Sequence, residues 1–261
     1  MTDKRTKVID TGDAQIEVVL RGKKGPLIVM YPGNGRGAED FDHLAGALYE
    51  AGWRSAAIHP RGAAGSQGPL ESITLHSYTG DIAAVVKALD GAPAAVLGHA
   101  FGNRVARCFA SDYPEMVRCL VLLAAGGKLP MALEVKEAIG KLRKGLSTDE
   151  IRAAFKIAYF AKDSNPDAWL TGVWPKSMKA NRIAGQSTPI EGWWSGGEAP
   201  TLVIQGKEDR CALPENGYLL KREYGDRITV IDIENAAHAL LPEQPERIAK
   251  NIINYLKDYR D

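Results

Sequence analysis

The segment Gly98-His99-Ala100-Phe101-Gly102 has the spacing of a G-x-S-x-G nucleophile elbow, with alanine where the attacking hydroxyl would stand. In such an elbow the central residue occupies a sharp turn between a strand and a helix. The turn holds its side chain out above a sheet edge, and the flanking glycines let neighbouring backbone come close. The apolar run before Gly98 reads as a strand and the residues after Ala100 as a helix, so the context fits. Alanine has no group with which to attack or donate. Losing the nucleophile from a Ser-His-Asp site costs about 10⁶-fold in turnover, which is roughly 8 kcal/mol of barrier. Acyl-enzyme turnover is therefore excluded for this sequence.

Other reactive residue types form no comparable pattern. Cys108, Cys119 and Cys211 are scattered and odd in number. They fit reduced thiols better than a disulfide framework or a zinc site. Cys211 stands apart only in being close to an acidic residue, Asp209. His43, His59 and His76 lack the partner spacing of a metal site, and no metal is expected. The glycine-rich loop 32–37 does not match G-x-G-x-x-G followed by a suitable acid, so no nucleotide or flavin cofactor is implied.

An elbow needs a sheet to stand on, and the chain supplies one. Apolar segments at 8–9, 16–20, 27–31, 55–59, 94–98, 119–124, 201–205 and 228–233 read as strands. Residues ending near 45–51, then 75–89, 101–113 and a stretch from about Pro245 read as helices. In the second, Ile82, Val85, Val86 and Leu89 recur at helical spacing; in the last, Ile248, Ile252 and Leu256 share a face. Continuous apolar strands alternating with helices indicate a mostly parallel eight-stranded sheet covered on both faces.

One stretch breaks the alternation. Between the strands at 119–124 and 201–205 there is no strand pattern, only helical segments such as 133–142 and 148–161. A structureless loop of that length inside one domain is implausible. We expect a helical cap insertion at 126–197 on a core of 1–125 and 198–261. The insertion holds Trp169, Trp174, Trp193 and Trp194. Aromatic residues in such a position often pack as core, but they also shape apolar pockets. Trp174, Trp193 and Trp194 are accordingly the substrate-pocket candidates.

The whole-chain balance narrows the function further. With 261 residues, 45% of them apolar, the chain can build one substantial core. A formal net charge of +1 offers no basic footprint for nucleic acid. The polar opening MTDKRTKVIDTGD is not a signal peptide, and no apolar run approaches the ~18 residues of a membrane span. These features suggest a cytoplasmic protein with a small-molecule substrate and no membrane partner. Homodimer formation is left open.

Two more segments complete a pattern. Leu202-Val203-Ile204-Gln205-Gly206-Lys207-Glu208-Asp209 places an acid after a strand. Asn235-Ala236-Ala237-His238, followed by Leu241-Pro242-Glu243-Gln244-Pro245, places a histidine between the last strand and the last helix. With the elbow, these resemble the α/β-hydrolase superfamily over nearly the full length, in the order elbow, acid, histidine. The resemblance implies Asp209 and His238 as partners of the vacant position 100. It also implies an oxyanion hole from the backbone N–H groups of Asn34, in the loop after Tyr31, and Phe101, just past the elbow. Pro32 stands where the family usually has histidine, and Gly33 is retained. The stretch Pro60-Arg61-Gly62-Ala63-Ala64-Gly65-Ser66 is similar to the family's R-G-x-G-x-S loop, with Ala64 shifting the register. Glu208 is a rival to Asp209, and His99 has a packing role beneath the elbow as its expected use. Arg61 reads as a structural charge and Asp81 as a solvated helix acid.

Three readings of Ala100 remain. Position 100 is a serine in the parent protein and this chain is a silenced form; or alanine is native and His238, oriented by Asp209, activates water, as in sequences resembling aminoacrylate hydrolases with G-H-A-x-G elbows; or the protein binds a small ligand without chemistry. Haloalkane dehalogenase or epoxide hydrolase chemistry needs a carboxylate at the elbow and is ruled out. The expectation is hydrolysis of a small ester, lactone, amide or activated carbonyl.

Overall fold

The computed structural model describes residues 3–142 and 146–260. Residues 1–2, 143–145 and 261, which fall inside the expected core and insertion ranges, lie outside the described residues.

Eight strands form one sheet: β1 (Lys4–Asp10), β2 (Gln15–Arg21), β3 (Leu27–Tyr31), β4 (Arg54–Ile58), β5 (Ala94–His99), β6 (Val117–Leu123), β7 (Thr201–Gly206) and β8 (Ile228–Ile233). Their order across the sheet is β1-β2-β4-β3-β5-β6-β7-β8. β1 and β2 pair antiparallel, as do β2 and β4; every later pairing is parallel. The strand pattern read from sequence is borne out within two residues at each end, except that β1 begins four residues before the expected 8–9.

The β3 sequence LIVMY explains why both faces are covered. Leu27, Val29 and Tyr31 point into one apolar core, and Ile28 and Met30 into the other. The first core is closed by α2 (Leu75–Ala88) and α3 (Phe101–Asp112), through side chains such as Ile82, Val85, Val105 and Phe109. The second is closed by α1 (Asp42–Glu50) and α8 (Pro245–Leu256), through Leu44, Leu48, Ile248 and Ile252. A side chain of this size contributes about 1.5–3 kcal/mol when fully buried.

Between β6 and β7 lie α4 (Leu133–Lys141), α5 (Thr148–Tyr159) and α6 (Pro175–Ser187), joined by irregular chain and short 3₁₀ turns. Val135 and Ala138 of α4 pack on Ala154 and Ala158 of α5 in a small separate core. Ser147 and Glu150 form a capping box that starts α5. One more helix, α7 (Glu215–Tyr224), links β7 to β8. Among the described residues no helix is long and apolar enough to cross a membrane.

Asp81 departs from its expected role. It is buried, and Arg61 donates to it twice at 2.8 Å while also holding Asp13 at 2.9 and 3.1 Å. The helix periodicity around Asp81 is sound, but its face meets the sheet and not water.

Candidate active site

The carboxyl ends of β3, β5, β7 and β8 converge on one place, the edge where ligands sit in open parallel sheets. Ala100, between β5 and α3, has φ 52° and ψ −110°. That left-handed value is unfavourable for a residue with a Cβ. It persists because Ala100 N–H donates to Leu123 O at 2.9 Å, while Asn103 Nδ2 donates to Ala100 O. The two glycines of the motif are sterically required. A Cβ on Gly98 would collide with the backbone of Gly102, and one on Gly102 would collide with the Tyr31 carbonyl. The 32–37 loop presses on the same turn: a Cβ on Gly33 would lie 3.7 Å from Ala100 Cβ and 3.6 Å from His99 Nδ1. Asn34 is exposed at the rim of this loop, and Phe101 is half-buried. The Phe101 N–H belongs to the first turn of α3, where helical amides have no intrahelical acceptor.

Asp209 and His238 come together. Both are buried, and His238 Nδ1 lies 2.9 Å from Asp209 Oδ2. Asp209 Oδ1 accepts the N–H groups of Cys211 and Ala212, each at 2.8 Å, so the carboxylate is satisfied on both oxygens. The two loops are stitched to each other: Lys207 N–H donates to Ile233 O at 3.0 Å and Glu208 N–H to Ala236 O at 2.9 Å. Glu208 itself points away and accepts from Lys162 N–H at 2.9 Å, which separates it from Asp209.

The His238 loop has its own clamp. Glu243 accepts the N–H groups of Ala237 and Leu240, each at 2.9 Å, and that of Ala161 at 2.7 Å. His99 donates from Nε2 to His238 O at 2.8 Å. This gives His99 the supporting role expected for it. Complete burial pushes the His99 pKa down to about 4, so the ring is neutral. For His238, burial alone would lower the pKa. The Cys211 thiol beside the ring and the Asp209 carboxylate outweigh that and hold it well above the ordinary imidazole range.

The aromatic surroundings differ from those read in sequence. Tyr159 lies against the dyad and Trp169 against its support: the Tyr159 ring centroid is 5.6 Å from that of His238, and Trp169 meets His99 edge-on at 5.9 Å. Neither was a pocket candidate, because a tryptophan or tyrosine in a helical segment carries no local sign of which side it faces. Trp174 borders the 32–37 loop, donating its backbone N–H to Gly35 O at 2.8 Å, and lies edge-on to His59 with its indole N–H on Glu39 at 3.2 Å. Trp193 and Trp194 are buried beside Arg107, whose guanidinium carbon lies 4.6 and 4.8 Å from their ring centroids. Arg36, in the 32–37 loop, donates to Thr171 O at 2.7 Å and to Asp40, and so ties that loop to the helical excursion. Two surface clefts, one bordered by Asp163, Asn235 and Glu243 and the other by Glu134, Leu146 and Ile157, do not reach Ala100, Asp209 or His238.

A second cluster was not legible in sequence. His76, Cys108 and Asp112 bring one potential ligand atom each within 4.8 Å of one another, on α2 and α3. This corrects the reading that His76 has no metal-type partners. The spacing hides it because His76 and Cys108 are brought together only by helix packing. Asp112 Oδ2 is already engaged at 2.8 Å by His76 and at 2.6 Å by Thr79, which accounts for the cluster as a hydrogen-bond network.

Comparisons with known proteins follow the same lines. The family profile of the α/β hydrolase fold matches residues 26–157. A protein named as a non-heme bromoperoxidase from Mycobacterium tuberculosis is 26% identical over 253 residues, spanning 90% of this chain and 94% of that one. The 2-(acetamidomethylene)succinate hydrolase of Mesorhizobium japonicum is 28% identical over 267 residues, spanning 95% and 94%. The structure of an esterase from Exiguobacterium antarcticum superposes with a TM-score of 0.81 at 18% identity, covering 97% of this chain and 100% of the other.

Proposed function

This chain belongs to the α/β-hydrolase fold family, and we propose that it hydrolyses a small ester, lactone, amide or activated carbonyl by water attack, with His238 as the base. The observation that carries this reading is the 2.9 Å pairing of buried His238 with buried Asp209 beside Ala100. A buried carboxylate is costly unless paired, and a carboxylate fixing one imidazole nitrogen leaves the other to move a proton. The methyl of Ala100 is smaller than a hydroxymethyl group, which leaves room for a water where the serine oxygen would be. His238 takes a proton from that water as it attacks the carbonyl, then returns it to the leaving group. The Phe101 and Asn34 N–H groups face the oxygen on which negative charge develops, the geometry that lowers such barriers. Residues 126–197 act as a cap over this site, with Tyr159 and Trp169 excluding bulk water; Ala239 N–H, next to His238, donates to Tyr159 O at 2.9 Å.

The test is His238→Ala assayed on a panel of esters and lactones. Turnover should disappear; unchanged turnover sinks water activation.

A second reading has its own support. Ala100 keeps the strained elbow conformation, which costs roughly 1–2 kcal/mol and gives a methyl group no advantage. The elbow is therefore competent for a serine. Ala100→Ser should yield rapid ester hydrolysis and a covalent fluorophosphonate adduct if this chain is a silenced serine hydrolase. A slow, unlabelled Ala100→Ser protein would leave water attack as the native chemistry.

A further inference from the structure

One hydrogen-bond network stands apart from the dyad and joins α2 to α3. Its three side chains are all of metal-ligating type: His76 in the first turn of α2, and Cys108 and Asp112 one turn apart on α3. Asp112 Oδ2 lies 2.8 Å from His76 Nδ1 and 3.8 Å from Cys108 Sγ, and Cys108 Sγ lies 3.6 Å from His76 Nδ1. Among the described residues this is the one group of three histidine, cysteine or acidic side chains whose ligand atoms converge so closely.

Those separations are close to the edges of a tetrahedral zinc site. Zinc bonds of about 2.3 Å to sulfur and about 2.1 Å to nitrogen or oxygen put tetrahedral ligand atoms about 3.6 Å apart where sulfur is involved, and about 3.4 Å apart between nitrogen and oxygen. The two sulfur edges here already fit within about 0.2 Å. The nitrogen–oxygen edge must open by about 0.6 Å, and it joins the two side chains that reach solvent, His76 and Asp112. Cys108 is buried beneath them.

The surroundings also suit a cation. Thr79 is buried, and its hydroxyl lies 2.6 Å from Asp112 Oδ2 and 2.9 Å from His76 O. One hydroxyl proton cannot serve both acceptors at once. Asp112 Oδ2 thus faces three donor groups, those of Thr79, His76 and Cys108. A divalent cation between the ligand atoms replaces two of these contacts. The Cys108 S–H proton leaves to solvent, and the His76 proton moves from Nδ1 to Nε2. Thiolate and carboxylate together then balance the two positive charges, and Thr79 holds the ligating oxygen in place. Burial and the Asp112 carboxylate push the Cys108 thiol up to about 12. Displacing that proton takes a metal with strong affinity for sulfur, which selects Zn²⁺ over Mg²⁺ and Ca²⁺.

We propose that His76, Cys108 and Asp112 form a Zn²⁺ site that clamps α2 to α3, with water as the fourth ligand on the side where His76 and Asp112 are exposed. The site is structural. Cys108 lies two turns past Ala100, about 12 Å along α3, so the cation does not touch the dyad. It secures the far end of the helix whose first turn carries the Phe101 N–H.

The full chain, stripped with a chelator, can be titrated with Zn²⁺ by calorimetry and with Co²⁺ by absorption. One equivalent of Zn²⁺ should bind, and at a hundredfold excess over Kd it should raise the melting temperature by about 5 °C. Co²⁺ should give visible bands of tetrahedral intensity and a thiolate charge-transfer band in the near ultraviolet. Cys108→Ala should remove the charge-transfer band, and Cys211→Ser should keep it. Thr79→Val should weaken Zn²⁺ binding by about 10–100-fold. His76→Ala is the control for folding, because the side chain is half-exposed. It should leave the metal-free melting temperature unchanged and lose the rise on adding Zn²⁺. Zn²⁺ that binds no more tightly than Mg²⁺ would overturn the proposal. So would a Co²⁺ spectrum without the thiolate band, a band removed by Cys211→Ser, or an undiminished response to Zn²⁺ in His76→Ala.

Discussion

Arg61 and Arg104 are both drawn out of water by the same fold, and they end in opposite electrostatic situations. Arg61 sits in the loop after β4, 2% exposed, with the equally buried Asp81 donated to it by α2. Arg104 sits on α3, one turn past the elbow, with an aromatic face and no anion among the described residues. The first is a closed structural pair: breaking it harms the protein and adding to it gains nothing. The second rests on the Trp193 ring face in the gap between α3 and α6, without a carboxylate to close it among the described residues. The dyad lies between these extremes, since Asp209 is satisfied on both oxygens while His238 has one nitrogen committed and one available.

The largest expected effect falls on the dyad. Asp209→Asn should lower hydrolysis by about 10⁴-fold, by analogy with the loss of the orienting acid from a serine protease triad. It should also change the pH profile. A base works only when neutral, and His238 is held above the ordinary imidazole range. Wild-type turnover should therefore climb with pH beyond that range, and the variant's residual activity should climb at lower pH. A profile that does not move means Asp209 has no electrostatic hold on His238.

Next comes the closed pair. Arg61→Met leaves Asp81 buried without a counter-charge, which costs about 3–5 kcal/mol, measurable by denaturant unfolding. If Arg61→Met is as mild as Arg104→Met, the contrast between the two arginines is lost.

His99 tests a buried group kept neutral. Its folded pKa, about 4, is below the ordinary 6.5. Unfolded chain takes up the proton first, so stability falls as pH drops from about 6.5 to 4, by roughly 3 kcal/mol at 1.36 kcal/mol per pK unit. His238 has the opposite sign: its contribution is complete below the unfolded pKa and fades as pH rises through the raised folded one. His99→Asn should flatten the acid limb while leaving the alkaline side unaltered.

The smallest effect belongs to a paired arginine in water. Arg152 bridges Asp149 and Asp167 at 2.5 and 2.6 Å, all exposed. Arg152→Ala should leave the melting temperature unchanged within error, because solvent screens such pairs. A clear loss would mean that burial is not what separates these arginines.

Much of the architecture was legible because each strand is a local statement. LIVMY at β3 and TLVIQG at β7 are buried on both faces, and an uninterrupted apolar run says so without any partner. Two helices were not legible. α6 buries Ser177, Ala180, Asn181 and Ala184, and α7 buries Asn216, Gly217 and Leu220. Small or polar residues against a close neighbour leave no apolar stripe to read. The same limit concealed the places of Tyr159, against His238, and of Trp169, against His99.

By itself the sequence determined the succession of the strands and of the helices that carry an apolar stripe, the elbow between its two glycines, and the absence of a hydroxyl at Ala100. Those follow from apolar periodicity and from residue identity, both properties of the chain alone. Only the tertiary structure decided which charges have partners. Asp81 reaches Arg61, Asp209 reaches His238, and Arg104 meets the Trp193 ring with no carboxylate among the described residues, because pairing is set by which distant segments the core packs together.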